Sequence, residues 1–192
     1  MNEPVYIEDQ MATIAARVDT ALYQAGINPG DPDVFPHVYF MQGRLQEIIN
    51  RLQAKLQNPD AKMKRFPLII LVRDFTIKRG EDAAYSGSTG ITLLIVTSTN
   101  KDYNSDQRIT SVFTPILRPI YKELLNQIEN SGYYSFKLNG VQHDATEYCS
   151  WGKIDIAGAT GNMFNDYLDA IEIKNLKLII ENKQDCKPLS NF

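Results

Sequence analysis

A chain of 192 residues with 43% hydrophobic and 22% charged residues can bury a substantial core and has an ordinary globular composition. A net charge of −3 and a pI near 5.4 argue against a protein whose main task is gripping nucleic acid. No apolar run approaches the roughly 18 residues that span a bilayer.

The start, Met1-Asn-Glu-Pro-Val-Tyr-Ile-Glu-Asp9, lacks the apolar stretch of a signal peptide. Cys149 and Cys186 have neither a CxxC spacing nor a histidine-rich partner motif. The expectation is two unpaired thiols in a reducing, cytosol-like compartment.

From Tyr6 to Ala25, the residues Ile7, Met11, Ile14, Val18 and Leu22 form one helical stripe, with Gly26 as its terminator. Asn28-Pro-Gly-Asp-Pro-Asp33 is turn chemistry; Asp31 and Asp33 lack the later ligands of a calcium loop. Val38 to Met41 reads as a short strand. In 43–56, Leu45, Ile48, Ile49, Leu52 and Leu56 share a helix face, with Arg44, Glu47, Arg51 and Lys55 opposite. Lys62-Met-Lys-Arg65 is a basic run, read first as a solvated loop.

Pro67-Leu-Ile-Ile-Leu-Val72 is continuously apolar, which predicts a central strand covered on both faces, with a more exposed continuation through Arg79. Gly80 to Gly90 reads as a projecting polar loop, and Ile91 to Thr97 as the antiparallel partner of the first buried strand. Ser105 opens a helix to Glu129 with Leu117, Tyr121, Leu124 and Ile128 on one face. Pro115 and Pro119 predict a kink or break near Thr114, and Ser131-Gly132 ends the element.

Asn139-Gly140 between two alternating runs predicts a β-hairpin over 133–146, in which Phe136 would face His143. Beyond Gly158-Ala-Thr-Gly161 comes a long strand over 163–180. There the apolar positions pass from Ile171 and Ile173 to Leu176, Leu178 and Ile180. A period of two cannot change parity without an inserted residue, so a bulge or bend is predicted at Lys174–Asn175. The fold class is α+β: a mostly antiparallel twisted sheet of about four to six strands backed by two or three helices. One domain over 1–181, including an N-terminal helix and turn over 1–35, precedes a loosely held tail over 182–192.

Chemical signatures are sparse. Neither Ser86-Gly-Ser-Thr-Gly90 nor Gly158-Ala-Thr-Gly161 has P-loop spacing, and Ser88 is not in a GxSxG elbow. His37 and His143 with two distant cysteines make no local zinc set. Asp144 with Glu147, and Asp166 with Asp169, are candidate carboxylate pairs whose plain reading is surface acids. Tyr133, Tyr134, Tyr148 and Trp151 read as core or interface aromatics rather than a base-stacking platform. No catalytic, cofactor-binding or metal-binding residue is assigned, and the protein is expected not to be an enzyme.

In their order, the strand Phe66-Pro-Leu-Ile-Ile-Leu-Val-Arg-Asp74, the helix with Thr114-Pro-Ile-Leu-Arg-Pro-Ile-Tyr-Lys-Glu-Leu-Leu125 and the closing Asn165-Asp-Tyr-Leu-Asp-Ala-Ile-Glu-Ile-Lys-Asn-Leu-Lys-Leu178 resemble a family. It is the tail-completion (tail terminator, or head–tail joining) proteins of tailed bacteriophages, in the form found in phages of Bacteroidetes. The likeness covers roughly residues 40 to 180 and is one of element order. It implies a virion protein, assembled in the bacterial host cytoplasm, whose copies form a ring, typically hexameric, around the DNA channel. Its partners would be itself, the tail tube and the head–tail connector, with DNA passing unbound and no membrane involved. Heterologous ring contacts need two unlike surfaces. Candidates are Arg79, Asp82, Tyr85 and Ser88 around the projecting loop, Lys62, Lys64 and Arg65 in the basic run, and Glu172 and Lys174 on the closing strand. The alternatives are an adaptor or binding module of a related contractile or secretion apparatus, and a hydrolase using scattered carboxylates or His143.

Overall fold

The run Leu68–Val72 is apolar at every position because it is buried from both sides. In the computed structural model, which describes residues 6–27, 38–57, 66–79, 87–136, 140–152 and 167–180, Ile69 and Leu71 enter one core and Leu68 and Ile70 another. The elements in order are α1 (Ile7–Gln24), β1 (Tyr39–Gly43), α2 (Leu45–Gln57), β2 (Leu68–Val72), β3 (Lys78–Arg79) and β4 (Gly87–Thr99). There follow α3 (Ser105–Arg108), a π-helical stretch (Ile109–Leu117), α4 (Arg118–Glu129), β5 (Tyr134–Ser135), β6 (Asp144–Trp151) and β7 (Tyr167–Ile180).

The sheet runs β1-β2-β4-β7-β5, with β3 on β4 and β6 on β7. Only the β1–β2 pairing is parallel among those described. This is the expected α+β architecture, with seven described strands, two of them only two residues long.

Helices cover both faces. On one, Ile7, Met11, Ile14 and Val18 of α1 join Phe113, Leu117, Leu124 and Ile128 in a core with Leu93 and Ile95 of β4 and Ile171 and Ile173 of β7. On the other, Ile48, Ile49 and Leu52 of α2 cover Leu94, Val96, Leu168 and Ala170. Leu45, placed by spacing in the α2 stripe, is exposed, because the strip of sheet beneath α2 receives only the next turns. Helix α1 ends as its sequence predicts: Gly26 takes φ +70°, and the N–H groups of Ile27 and Gly26 donate to Leu22 O and Tyr23 O. Those two bonds satisfy carbonyls that the last turn would otherwise leave open.

The prolines act differently from expectation. Instead of breaking, the chain between Ser105 and Glu129 widens into nine π-helical residues, entered and left in right-handed helical backbone. The Arg118 N–H donates to Phe113 O, five residues back, and the matching partner for Thr114 O would be the nitrogen of Pro119, which carries no hydrogen. The wider turn accommodates the prolines, and Ile120 joins Leu117, Leu124 and Ile128 in the core while Tyr121 packs half-buried against it. Asn104 starts the element with a reciprocal capping box to Gln107.

Among the described residues, the strands flanking the predicted 133–146 hairpin do not pair with each other, and 137–139 lie outside the described residues. Both β5 and β6 pair with β7, end to end on one edge: Ser135 stands opposite Ile179 and Asp144 opposite Lys174. Between them, the described residues 140–143 form an excursion outside strand pairing, tied to β7 where the Lys177 N–H donates to Gln142 O at 3.1 Å. Gly140 there takes the positive φ (+70°) expected of its turn. The long apolar strand β7 was a better partner for both segments than either was for the other.

The predicted bulge is present. Ile91 pairs with Leu176 and Leu93 with Ile173, so Lys174 and Asn175 together oppose Thr92. Asn175 takes φ +54°, which lets Ile171, Ile173, Leu176 and Leu178 all enter one core. An Asn175→Ile variant forces a β-branched residue into left-handed backbone and is expected to lose about 1–3 kcal/mol. Asn175→Gly should lose clearly less. Urea unfolding of the two variants against wild type measures the difference.

Candidate functional site

A cleft of about 660 Å³ opens where β3, β4, β7 and the 140–144 stretch meet. Strand pairing positions its floor: Lys78 lies opposite Ser88, Ser88 opposite Ile179, Gly90 opposite Lys177, and Ser135 opposite Ile179. Directly paired residues share a face, so Lys78, Ser88, Gly90, Lys177 and Ser135 all present the same side of the sheet. Helix α2 covers that side only at the other end, over Leu94 and Val96. Between Ser88 and Gly90, Thr89 turns to the opposite face by the alternation of the strand, and its buried hydroxyl has no partner among the described residues.

The wall is built from the excursion. His143 Nε2 lies 2.6 Å from the Tyr121 hydroxyl and Nδ1 lies 3.0 Å from Val141 O. A carbonyl can only accept, so Nδ1 carries the proton and Nε2 accepts from Tyr121 in the neutral ring. Burial pushes the Tyr121 hydroxyl above its ordinary pKa, which keeps it a donor. This pair ties the excursion to α4, and His143 meets the ring of Tyr121 edge-on rather than serving in a hairpin with Phe136. Asp144 Oδ2 accepts from the Asn175 amide at 2.7 Å, fastening the wall to the bulge.

Asp144 and Glu147 do not meet as a pair, and Asp166, the proposed partner of Asp169, lies outside the described residues. Glu147 is held by Arg118 through bonds of 2.8 and 3.0 Å, three positions along β6 and so on the opposite face from Asp144. Asp169 is fully buried against Arg108 and also accepts from Ser150 N at 2.9 Å. Arg108 in turn donates to Tyr103 O at 3.1 Å, so this ion pair joins the start of α3 to β7 and β6. Ser150 takes φ +57° where an extra β6 residue is accommodated between the Tyr148–Ala170 and Trp151–Leu168 pairs. Beside it, burial and then the Asp169 charge push the exposed Cys149 thiol above its ordinary pKa, which lowers its thiolate fraction.

The proposed interface residues fall in several places. Ser88 lines the cleft, and the backbone of Arg79 pairs with Gly87 next to it. Ser88 lies inside β4 rather than in a loop, as do Gly87 and Gly90, because β7 is long enough to pair with them all. Glu172 and Lys174 bond each other at 2.9 Å on the far side of the bulge, and that bond raises the pKa of Lys174. Lys62, Lys64, Arg65, Asp82 and Tyr85 lie outside the described residues, as do His37, Asp31, Asp33, Asp166, Cys186 and the 182–192 tail. Tyr134 and Trp151 are core residues, in keeping with their reading as packing aromatics. Sequence reasoning missed the cleft itself: Leu176-Lys-Leu178 announces an outward Lys177, but its alignment with Lys78 exists only once the register is known.

Among the described residues there is no group of three or more histidine, cysteine or acidic side chains able to hold a metal ion. No described helix is long and apolar enough to cross a membrane. Compared with models of known protein families and with curated protein sequences, the chain matches none.

The Arg108–Asp169 pair generates a stability prediction. Asp169→Ala leaves a buried guanidinium without its counter-charge and is expected to lose about 3–5 kcal/mol. The double change Arg108→Met with Asp169→Leu should recover most of that loss in thermal unfolding. Additive losses in the double variant would show that the two groups act separately.

Proposed function

We propose that the protein is a structural subunit of a tailed-phage virion, a tail-completion or neck protein that assembles into a ring between tail and head–tail connector. The observation that carries the proposal is the sheet's two unlike edges. At one end β1 pairs only with β2, and at the other β6 pairs only with β7, among the described residues. Edge strands offer rows of backbone donors and acceptors, and two different edges on one subunit suit head-to-tail closure of a ring. From Asp144 to Glu147 the side chains of β6 are exposed, so the edge is not sealed by packing. The element order is a second support, through the phage-family resemblance.

Catalysis has no part in this reading. Both nitrogens of His143 are engaged, and Asp144, Glu147 and Asp169 each hold a structural partner. A negative subunit around a DNA channel would repel the passing strand rather than bind it. A genomic neighbourhood of portal, capsid and tail-tube genes is the expected setting.

The purified protein should form concentration-dependent rings in native mass spectrometry. Of two adjacent β6 residues, one N–H faces β7 and the other faces away. Ala145→Pro and Thr146→Pro, made singly, therefore separate the two edges of the strand. The variant that keeps the wild-type melting temperature has lost only the outward donor, and it is expected to stay monomeric. A wild-type protein that is strictly monomeric at high concentration, or rings unaffected by both changes, overturns the proposal.

A further inference from the structure

We propose that the cleft binds a phosphate group, free or carried as the monoester of a small organic molecule, between Lys78 and Lys177. The two lysines stand on strands either side of β4, with backbones about 12 Å apart from two strand spacings across and two residues along. They project from one face, and the residues they pair with on β4 are Ser88 and Gly90. A serine and a glycine leave the space over β4 empty, so the two long, flexible stems can bend inward and set both ammonium groups on one object. Two point charges suit a dianion such as phosphate, whereas planar recognition of a carboxylate favours the guanidinium fork.

Electrostatic accounting favours a ligand there. Arg73, Arg108, Arg118 and Lys174 each hold a carboxylate, whereas Arg17, Arg44, Arg51, Lys101 and Lys122 hold none among the described residues; what sets Lys78 and Lys177 apart is that both line the cleft. Lys78 and Lys177, both exposed, have no side-chain ion pair or hydrogen bond among the described residues. Asp144 is the acid in the cleft lining, and one of its oxygens is occupied by the Asn175 amide. Hydroxyl donors stand ready in Ser88 and Ser135 on the same face. A volume of about 660 Å³ far exceeds one phosphate, which leaves room for an organic remainder beside Gln142 and His143.

The test is amide-shift titration by NMR in low-salt buffer with two probes, inorganic phosphate and ribose 5-phosphate. Saturable shifts are expected at Lys78, Ser88, Gly90 and Lys177, weakening with added salt. Lys78→Gln and Lys177→Gln should each weaken binding about tenfold with the rest of the spectrum unchanged. Gly90 supplies a separate check, because a Cβ there would meet nothing nearer than Asn175 Cα at 4.0 Å. Gly90→Asp therefore fits the fold, places a carboxylate between the lysines and should abolish binding, while Gly90→Ala should retain it. Tighter binding of ribose 5-phosphate assigns the rest of the cleft to an organic moiety; equal binding assigns the site to phosphate itself. No saturable shift with either probe at millimolar concentration, or equal affinity in the Lys→Gln variants, overturns the proposal. Ring assembly is read independently, so either idea can fail without the other.

Discussion

One extra residue in β7 holds the architecture together. A strand of fourteen residues that serves a core along its whole length must keep one set of side chains inward. The sequence around Lys174–Asn175 changes parity, and without a bulge half the strand would present Lys177 to the core and Leu176 to water. Placing Asn175 in left-handed backbone restores the facing and keeps β4 paired on both sides of the irregularity. Because β4, β5 and β6 all pair with β7, each of them inherits its position from that correction. Asn suits the site, since its short amide side chain tolerates left-handed backbone and here also bonds Asp144.

The same irregularity shapes the cleft. On the α2 side of the sheet, Trp151, Leu168 and Ala170 are covered, whereas past the bulge the outward residues of β7 are Lys177 and Ile179. The sheet thus has a packed half and an open half on one face, and the 140–144 stretch walls the open half. The Tyr121–His143 bond secures that wall to α4, so the cleft is held by a hydrogen-bonded post on one side and strand pairing on the other.

How much was legible follows from the range of each signal. Local patterns carried the α1 stripe and its Gly26 terminator, the doubly buried run at Leu68–Val72 and the parity change in β7, because each depends on neighbours a few residues away. The partnering of β5 and β6 was not legible because Asn-Gly describes only a local turn, whereas the choice of partner strand is a long-range competition, and both described strands pair with β7. Pro115 and Pro119 correctly marked a disturbed helix; whether it breaks or widens depends on how well Val112, Phe113 and Leu117 can still reach the core. Arg108 and Asp169 lie 61 positions apart, and nothing in either neighbourhood announces their pairing. The cleft was illegible for the same reason: Lys78 and Lys177 meet through a register, not a motif.

The end-to-end placement of β5 and β6 on one strand has an evolutionary consequence. Both segments run antiparallel to β7, and each is anchored by its own pairing. The length of chain between them is therefore not dictated by the ladder. Insertions or deletions at that point change the height of the cleft wall while every described strand pair stays as it is, so the rim can diversify quickly on a sheet that cannot.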